Sequence, residues 1–356
     1  MLKNPLTPAT RKPDSVKIAV VLPVFNTARY LPECIQSLLA QTHKNFKIFA
    51  VNDGSFDGSA ETLNYYESSD DRLVVAHKEN GGVSSARNAA LEQIECDGTF
   101  DLICFVDSDD CVKPNFLKDF ASAFAKHGAD YAVCGWEPFD KIGPIHDFRE
   151  YDSTPMAFLD ADGAFHHAYK TAEWDGVRTC TTSFFLMNRC FLAKSIYGER
   201  FDTTLPKGED QDFLIRALLH VTRGVVIGTI NYMYRMRSSS LSHDNTLMID
   251  DMRLFTALIK KAQTYPASAR AGLERLANEC WWEALKLAFS TGTYKKNKHL
   301  FVENYEILKT FNYRAPLPKK FKKRFFLFSL GDAVLWLRFR SHKNKNPNRE
   351  LENAFD

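Results

Sequence analysis

"VKIAVVLPVF", Val16 to Phe25, is apolar almost throughout. It shows no alternation of polar and apolar side chains, so it reads as a strand buried on both faces of a parallel sheet. Next comes "ARYLPECIQSLLAQT", which puts Leu31, Ile35, Leu38 and Leu39 on one helical face. The same alternation continues outward. "FKIFAVND", "RLVVAHKE", "FDLICFVDSDD" and "ADYAVCGWE" read as strands, and "GSAETLNYYESS", "VSSARNAALEQIE" and "KPNFLKDFASAFAKH" as the helices between them. Strands alternating with helices of about a dozen residues argue for βαβ units in an α/β sheet. Beyond residue 140 the pattern loosens. Helices are expected at 190–197 and 210–220, and a strand at "VVIGTINYMYRMR". From about 245 the chain reads as helical, with a domain boundary near 243.

A chain of 356 residues exceeds what one core usually serves. The expected division is a lead-in at 1–15, an α/β domain at 16–243 and a helical region at 244–356. A net charge of +2 gives no dominant field. The eight cysteines form no CxxC pair and several lie in apolar runs, as buried reduced thiols do. "MLKNPLTPATRKPDS" has no apolar core and is not a signal peptide. No stretch approaches the ~20 apolar residues of a membrane span. A cytoplasmic protein is expected.

Ligands of open α/β sheets bind outside the carboxyl ends of the strands, and the polar residues gather there. The first strand ends at Pro23–Asn26 and the second at Asp53. The third runs into "KENGG" ahead of Arg87 and Asn88, and the fourth ends at Asp107. Three carboxylates, Asp107, Asp109 and Asp110, fall within four residues. Such groups are rarely buried unless paired or bound to a cation. Glu209 and Asp210 open a second acidic cluster at a helix start, where the helix dipole also favours anions. The glycines do not follow G-x-G-x-x-G and no P-loop is present, so neither a dinucleotide nor an ATP site is supported.

"VVLPVFNTARYLPECIQSLLAQT", "FAVNDGSFDGS", "ENGGVSSARNAAL", "FVDSDD", "GEDQDF" and "YRMRSSSLSH" occur in the order typical of family 2 glycosyltransferases of the GT-A fold, of the type that builds bacterial surface polysaccharides. The chain resembles that family over its first 240 residues or so. The resemblance implies a GT-A sheet flanked by helices, with a helical C-terminal extension. It implies inverting transfer from a UDP-sugar to a hydroxyl of a glycan or lipid-linked glycan. Asp109 would bind Mn²⁺ or Mg²⁺ directly, with Asp107 in the metal and ribose shell and His243 completing the shell or touching the diphosphate. Asp110 would cap the next helix or orient a neighbour. Asp53 would accept the uracil N3–H, between walls from Pro23 and Phe25; an Asx-turn is the plainer role. Asn80, Arg87 and Ser108 join the donor set, although Arg87 also suits a structural ion pair.

Asp210 would be the general base, with Glu209 orienting it or binding acceptor hydroxyls. Asp212 reads as a helix charge. Arg235 and Arg237 alternate on an extended segment, and a guanidinium fork suits diphosphate. Ser240, Ser242 and His243 resemble a loop that folds over the donor. Trp136, Trp174 and Asp175 are open between acceptor contacts and core packing.

The segment 318–345 flanks apolar residues at helical spacing with Lys319, Lys320, Lys322, Lys323 and Arg324 on one side and Arg338, Arg340, Lys343 and Lys345 on the other. Such a helix suits an anionic membrane surface or a solvated face. The helices before it suit core or homodimer packing. A rival class is a non-catalytic scaffold of the same fold, but such a protein would be expected to lose a metal Asp or the base. Nucleic acid is not expected as a partner, since the charge is near balance and no binding motif is present.

Overall fold

The structure, a computed structural model, describes residues 11–139, 155–160, 164, 186–205, 208–236, 252, 267–310, 323, 327–329 and 335. The chain divides into two compact units, Met1–Ser239 and Ser240–Asp356.

In the first unit, β1 (Ile18–Val24) is buried at every residue and lies parallel to both β2 (Phe46–Asp53) and β4 (Leu102–Phe105). A strand with a neighbour on each edge and helices on each face has no solvent side, which is why its sequence does not alternate. Beyond β2, β3 (Leu73–Lys78) pairs in parallel at the edge. The connecting helices are α1 (Leu31–Leu39), α2 (Ser59–Ser69) and α3 (Val83–Asp97). Leu31, Cys34, Ile35 and Leu38 of α1 are buried, and Leu39 packs at the edge of the core.

Past β4 the sheet becomes mixed. Its order is β3-β2-β1-β4-β8-β6-β9-β5, with β7 (Pro155–Leu159) also paired to β9. Here β5 is Cys111–Val112, β6 is Tyr131–Phe139, β8 is Arg189–Leu192 and β9 is Gly224–Arg235. The strand β8 runs antiparallel to both β4 and β6, whereas β6 and β9 are parallel. Helix α4 (Phe116–His127) follows β5.

The helix expected at 190–197 is corrected. Residues 189–192 form β8, and only Ala193–Ile196 (α5) turns helical. Cys190 and Phe191 are wholly buried opposite Cys104 and Ile103, so ladder bonds on both edges override a short helical pattern. The helix expected at 210–220 is α6 (Glu209–Leu218).

The second unit contains a helical hairpin, α7 (Ala267–Ser290) and α8 (Tyr294–Thr310). Trp281 is fully buried in it, donates its indole N–H to the Phe301 carbonyl at 3.1 Å and stacks on Tyr305. Among the described residues no helix is long and apolar enough to cross a membrane.

Candidate active site

The rim at the carboxyl ends of β1 to β4 is tied together by short polar side chains. Asn26, just past β1, takes a left-handed conformation with φ 51°. Its N–H donates to Ser55 Oγ at 3.0 Å and its Oδ1 accepts the Phe56 N–H at 3.0 Å. Asn tolerates this backbone region better than most side chains do. The loop so held places Phe56, 85% exposed, edge-on to Phe25 with ring centroids 6.1 Å apart. Pro23 is buried within β1, so Phe25 is the member of the expected pair that faces outward.

Asp53 ends β2 and is almost fully buried. Its Oδ1 accepts from Lys78 Nζ at 2.7 Å and from the Gly81 N–H at 3.0 Å, and its Oδ2 accepts the Gly82 N–H at 2.7 Å. Neither an Asx-turn nor an open hydrogen-bonding edge describes this. The carboxylate anchors the turn into α3, and one of its roughly four lone-pair sites is left on Oδ2. Gly54, at φ 74°, lets the turn approach, since a Cβ there would lie 2.9 Å from the Asn80 backbone nitrogen. Asn80 stands exposed on the rim.

Arg87, on the first turns of α3, is the centre of the site. It is 4% exposed. One guanidinium nitrogen donates to Asp107 Oδ1 at 3.0 Å; another donates to Glu209 Oε1 at 3.2 Å and, in a shorter contact, to Asp210 Oδ1. A buried cation is tolerable only with such partners. Burial is the largest influence on Asp210 and pushes its carboxyl up to about 8; Arg87 pulls against this, while Glu209 and Asp107 add to it. The three acids hold Arg87 well above its already high range, against the cost of burial.

This arrangement is fixed by Asn88, whose side chain donates to the Phe201 carbonyl at 2.9 Å and accepts the Phe201 N–H at 2.8 Å. Phe201 in turn stacks on Phe213 of α6, with centroids 4.1 Å apart, and lies under the Arg87 guanidinium. Asp212, expected as a helix charge, pairs with Arg216 one turn on.

The Asp107–Asp110 turn alternates in exposure: Asp107 and Asp109 are partly exposed, Ser108 and Asp110 buried. Two residues expected on the donor side therefore turn inward. Ser108 Oγ accepts from Thr27 Oγ1 at 3.0 Å. Arg235 is 2% exposed and pairs with Glu33 at 2.5 Å. Asp110 does not cap α4; it reaches into the sheet, to Tyr232 and the Arg235 backbone. Burial pushes its carboxyl well above the usual range, and Asp109 and Asp107 push it further. Arg237, Ser240, Ser242, His243, Trp174 and Asp175 lie outside the described residues, as does most of 318–345. Trp136 packs edge-on to Tyr234.

Among the described residues no three metal-ligating side chains gather into a preformed cage. The pair Asp107 and Asp109 still fits a hard divalent ion that takes its remaining ligands from a diphosphate and water. Mg²⁺ commonly uses only one or two carboxylates in this way.

Comparison with known proteins agrees with this architecture. The model of the family "Glycosyl transferase family 2" matches residues 19–189. The glycosyltransferase GlyG of Streptococcus pneumoniae serotype 4 is 29% identical over 225 residues, 63% of this chain and 72% of that one. The glycosyltransferase GlyA of the same organism is 31% identical over 230 residues, 64% of this chain but 31% of its own length, so the chain spans about a third of that relative. The structure of Staphylococcus aureus TarS 1–349 in complex with UDP-GlcNAc has a TM-score of 0.64 at 17% identity and covers 92% of this chain and 90% of that one. At that identity the likeness is one of fold. With the sheet, the rim and the matched segment in agreement, residues 19–189 match glycosyl transferase family 2, and the chain is built on the GT-A fold.

Proposed function

We propose that this chain transfers a sugar from a UDP-sugar to a hydroxyl of a glycan or lipid-linked glycan, with inversion at the anomeric carbon and Asp210 as the general base. The observation that carries the reading is the Arg87 cluster. It joins Asp107, on the side expected to hold the donor diphosphate, to Asp210, on the side expected to face the acceptor. Leaving group and base then share one site, as a single displacement needs.

In this reading Phe25 walls the uracil, Asp53 offers its remaining lone pair to uracil N3–H, and Asn80 serves the base and ribose. Asp109 and Asp107, with His243, would hold Mn²⁺ or Mg²⁺, whose Lewis acidity offsets charge on the leaving diphosphate. Asp210 takes the acceptor proton as the oxygen attacks. A carboxyl held up to about 8 suits that task, because a base works best with a pKa near the operating pH. Glu209 keeps Asp210 oriented through their common partner Arg87.

TarS was captured with UDP and with UDP-GlcNAc, and a mannosyltransferase of similar fold from Pyrobaculum calidifontis with GDP-Man and Mn²⁺. A putative teichuronic acid biosynthesis glycosyltransferase of Bacillus subtilis is among the relatives. These support a nucleotide-sugar donor, a metal and a cell-surface polysaccharide product. The basic segment 318–345 would hold the enzyme at the cytosolic face of an anionic membrane, and the C-terminal helices would support a homodimer.

The test is thermal stabilisation by UDP with and without Mn²⁺, followed by donor hydrolysis across a panel of UDP-sugars. UDP should stabilise the protein, more so with Mn²⁺, and one UDP-sugar should release UDP without an acceptor. Indifference to UDP under both conditions would overturn the reading.

A further inference from the structure

The buried side of the Asp107–Asp110 turn is held by a polar network that reaches to β9 and α1. Tyr232, on β9, accepts the Asp107 N–H at 3.2 Å. Its own proton is therefore directed to Asp110 Oδ2, 2.6 Å away. Asp110 Oδ1 accepts the Arg235 backbone N–H at 2.7 Å, and the Asp109 carbonyl accepts from Arg235 Nε at 2.6 Å. The Arg235 guanidinium ends on Glu33 of α1 and lies over the rings of Phe139 and Tyr30, 4.2 and 5.0 Å from their centroids. From α1, Cys34 Sγ donates to the Asp107 carbonyl at 3.5 Å.

Asp110 is 1% exposed and Arg235 2%. Burying a carboxylate and a guanidinium this deeply is costly unless each is hydrogen-bonded. Here the Asp110 carboxylate is held by the Tyr232 hydroxyl and the Arg235 N–H, and those two residues in turn reach the backbone of residues 107 and 109. Residues 107, 109 and 110 of the turn are held from the buried side, while the Asp107 and Asp109 side chains remain partly exposed.

We propose that Tyr232, Asp110 and Arg235 are positioning residues for the divalent ion. They fix the backbone from which Asp107 and Asp109 project, and Arg235 acts from inside the fold rather than on the donor. This rests on the metal-assisted reading above. A half-buried carboxylate on a slack turn must be ordered when the ion binds; one on a turn already fixed on both sides needs little ordering. The network thus acts on ion affinity, with little effect on nucleotide affinity in the absence of metal.

The experiment uses the full chain and two variants. Tyr232→Phe removes one hydroxyl and leaves the ring in place. Arg235→Lys keeps the charge facing Glu33 and removes the fork that reaches the Asp109 carbonyl. Mn²⁺ binding is titrated by electron paramagnetic resonance at saturating UDP, and UDP binding by calorimetry in EDTA. Each variant should bind Mn²⁺ about tenfold more weakly and UDP in EDTA within about twofold of wild type. UDP release should fall at low Mn²⁺ and return at high Mn²⁺. Unchanged Mn²⁺ affinity with a lowered melting temperature would make the network merely structural and overturn the inference. So would a loss of UDP affinity in EDTA for Arg235→Lys, since that marks a donor contact. The two variants report separately, so one that fails to fold leaves the other decisive. If wild type binds UDP but no Mn²⁺, the metal-assisted reading falls and this inference with it; if wild type binds both and the variants match it, this inference alone falls.

Discussion

Replacing Arg87 by methionine keeps the buried stem and removes a cation that Asp107, Glu209 and Asp210 share. The Arg87 side chain is 5% exposed and the three carboxylates 26%, 17% and 20%. Breaking a buried ion pair by removing one partner costs about 3–5 kcal/mol. The acids retain some water, so the lower end applies, about 3 kcal/mol at pH 8. For a domain of this size that is a fall of roughly 6–12 °C in melting temperature. The loss should depend on pH with a definite sign. Without Arg87 the pull that opposes burial is lost, and the Asp210 carboxyl, already raised, moves further above the unfolded carboxylate range near 4. The folded variant then holds more protons than the unfolded chain, so its stability falls as pH rises and recovers as pH falls. Thermal denaturation followed by circular dichroism at pH 8 and pH 5.5 should show a large deficit at the first and a clearly smaller one at the second. Equal melting of variant and wild type at pH 8, or a deficit of the same size at both pH values, would refute the reasoning.

The same cluster governs rate. Because Asp210 is raised to about 8 and works only when ionised, kcat/KM should climb with pH, reach half its maximum near 8 and level off about one unit above that, and a flat profile from pH 6 to 9 would remove it as the base. Asp53→Ala deletes an acceptor of two backbone N–H groups and, in the proposed role, the partner of uracil. UDP affinity should drop by about one to two decades, since a hydrogen bond to a charged group contributes roughly 1.5–3 kcal/mol. Calorimetry showing wild-type affinity would confine Asp53 to holding the turn. Replacing Lys319, Lys320, Lys322 and Lys323 by glutamine, which leaves Phe328 packed on the Trp281 ring, should keep turnover on a soluble acceptor intact and weaken binding to anionic vesicles, by about 1 kcal/mol per basic residue lost. Unchanged vesicle binding would instead make those lysines a solvated face.

Much of this was legible because β1 and β2 are buried on both faces, and such strands leave unbroken apolar runs. The polar ends of those runs then mark the candidate ligand edge. What escaped the sequence depends on partners distant in the chain. Cys190 and Phe191 carry a helical pattern but meet Cys104 and Ile103, and pairing across that separation leaves no local trace. The pattern around "YRMR" shows which residues share a face of β9, but cannot say which face is inward, so Arg235 looked like a phosphate ligand. Asp53 was visible as a strand end, while its capture by Lys78, Gly81 and Gly82 needed the turn before α3 to fold back on it. Asn26, Asn88, Tyr232 and Glu33 were missed as supporting residues. Asn26 and Asn88 stood in the recognised motifs, yet nothing in their spacing told support from contact.

The central claim is that Asp210 removes the acceptor proton. Asp210→Asn keeps the side-chain shape and leaves Arg87 with Asp107 and Glu209 as partners. The direct measurement is turnover of this variant at saturating UDP-sugar and Mn²⁺. General-base assistance contributes roughly two to four decades in rate, so turnover should fall at least about a hundredfold while UDP binding stays at the wild-type level. Turnover within a few-fold of wild type would contradict the account.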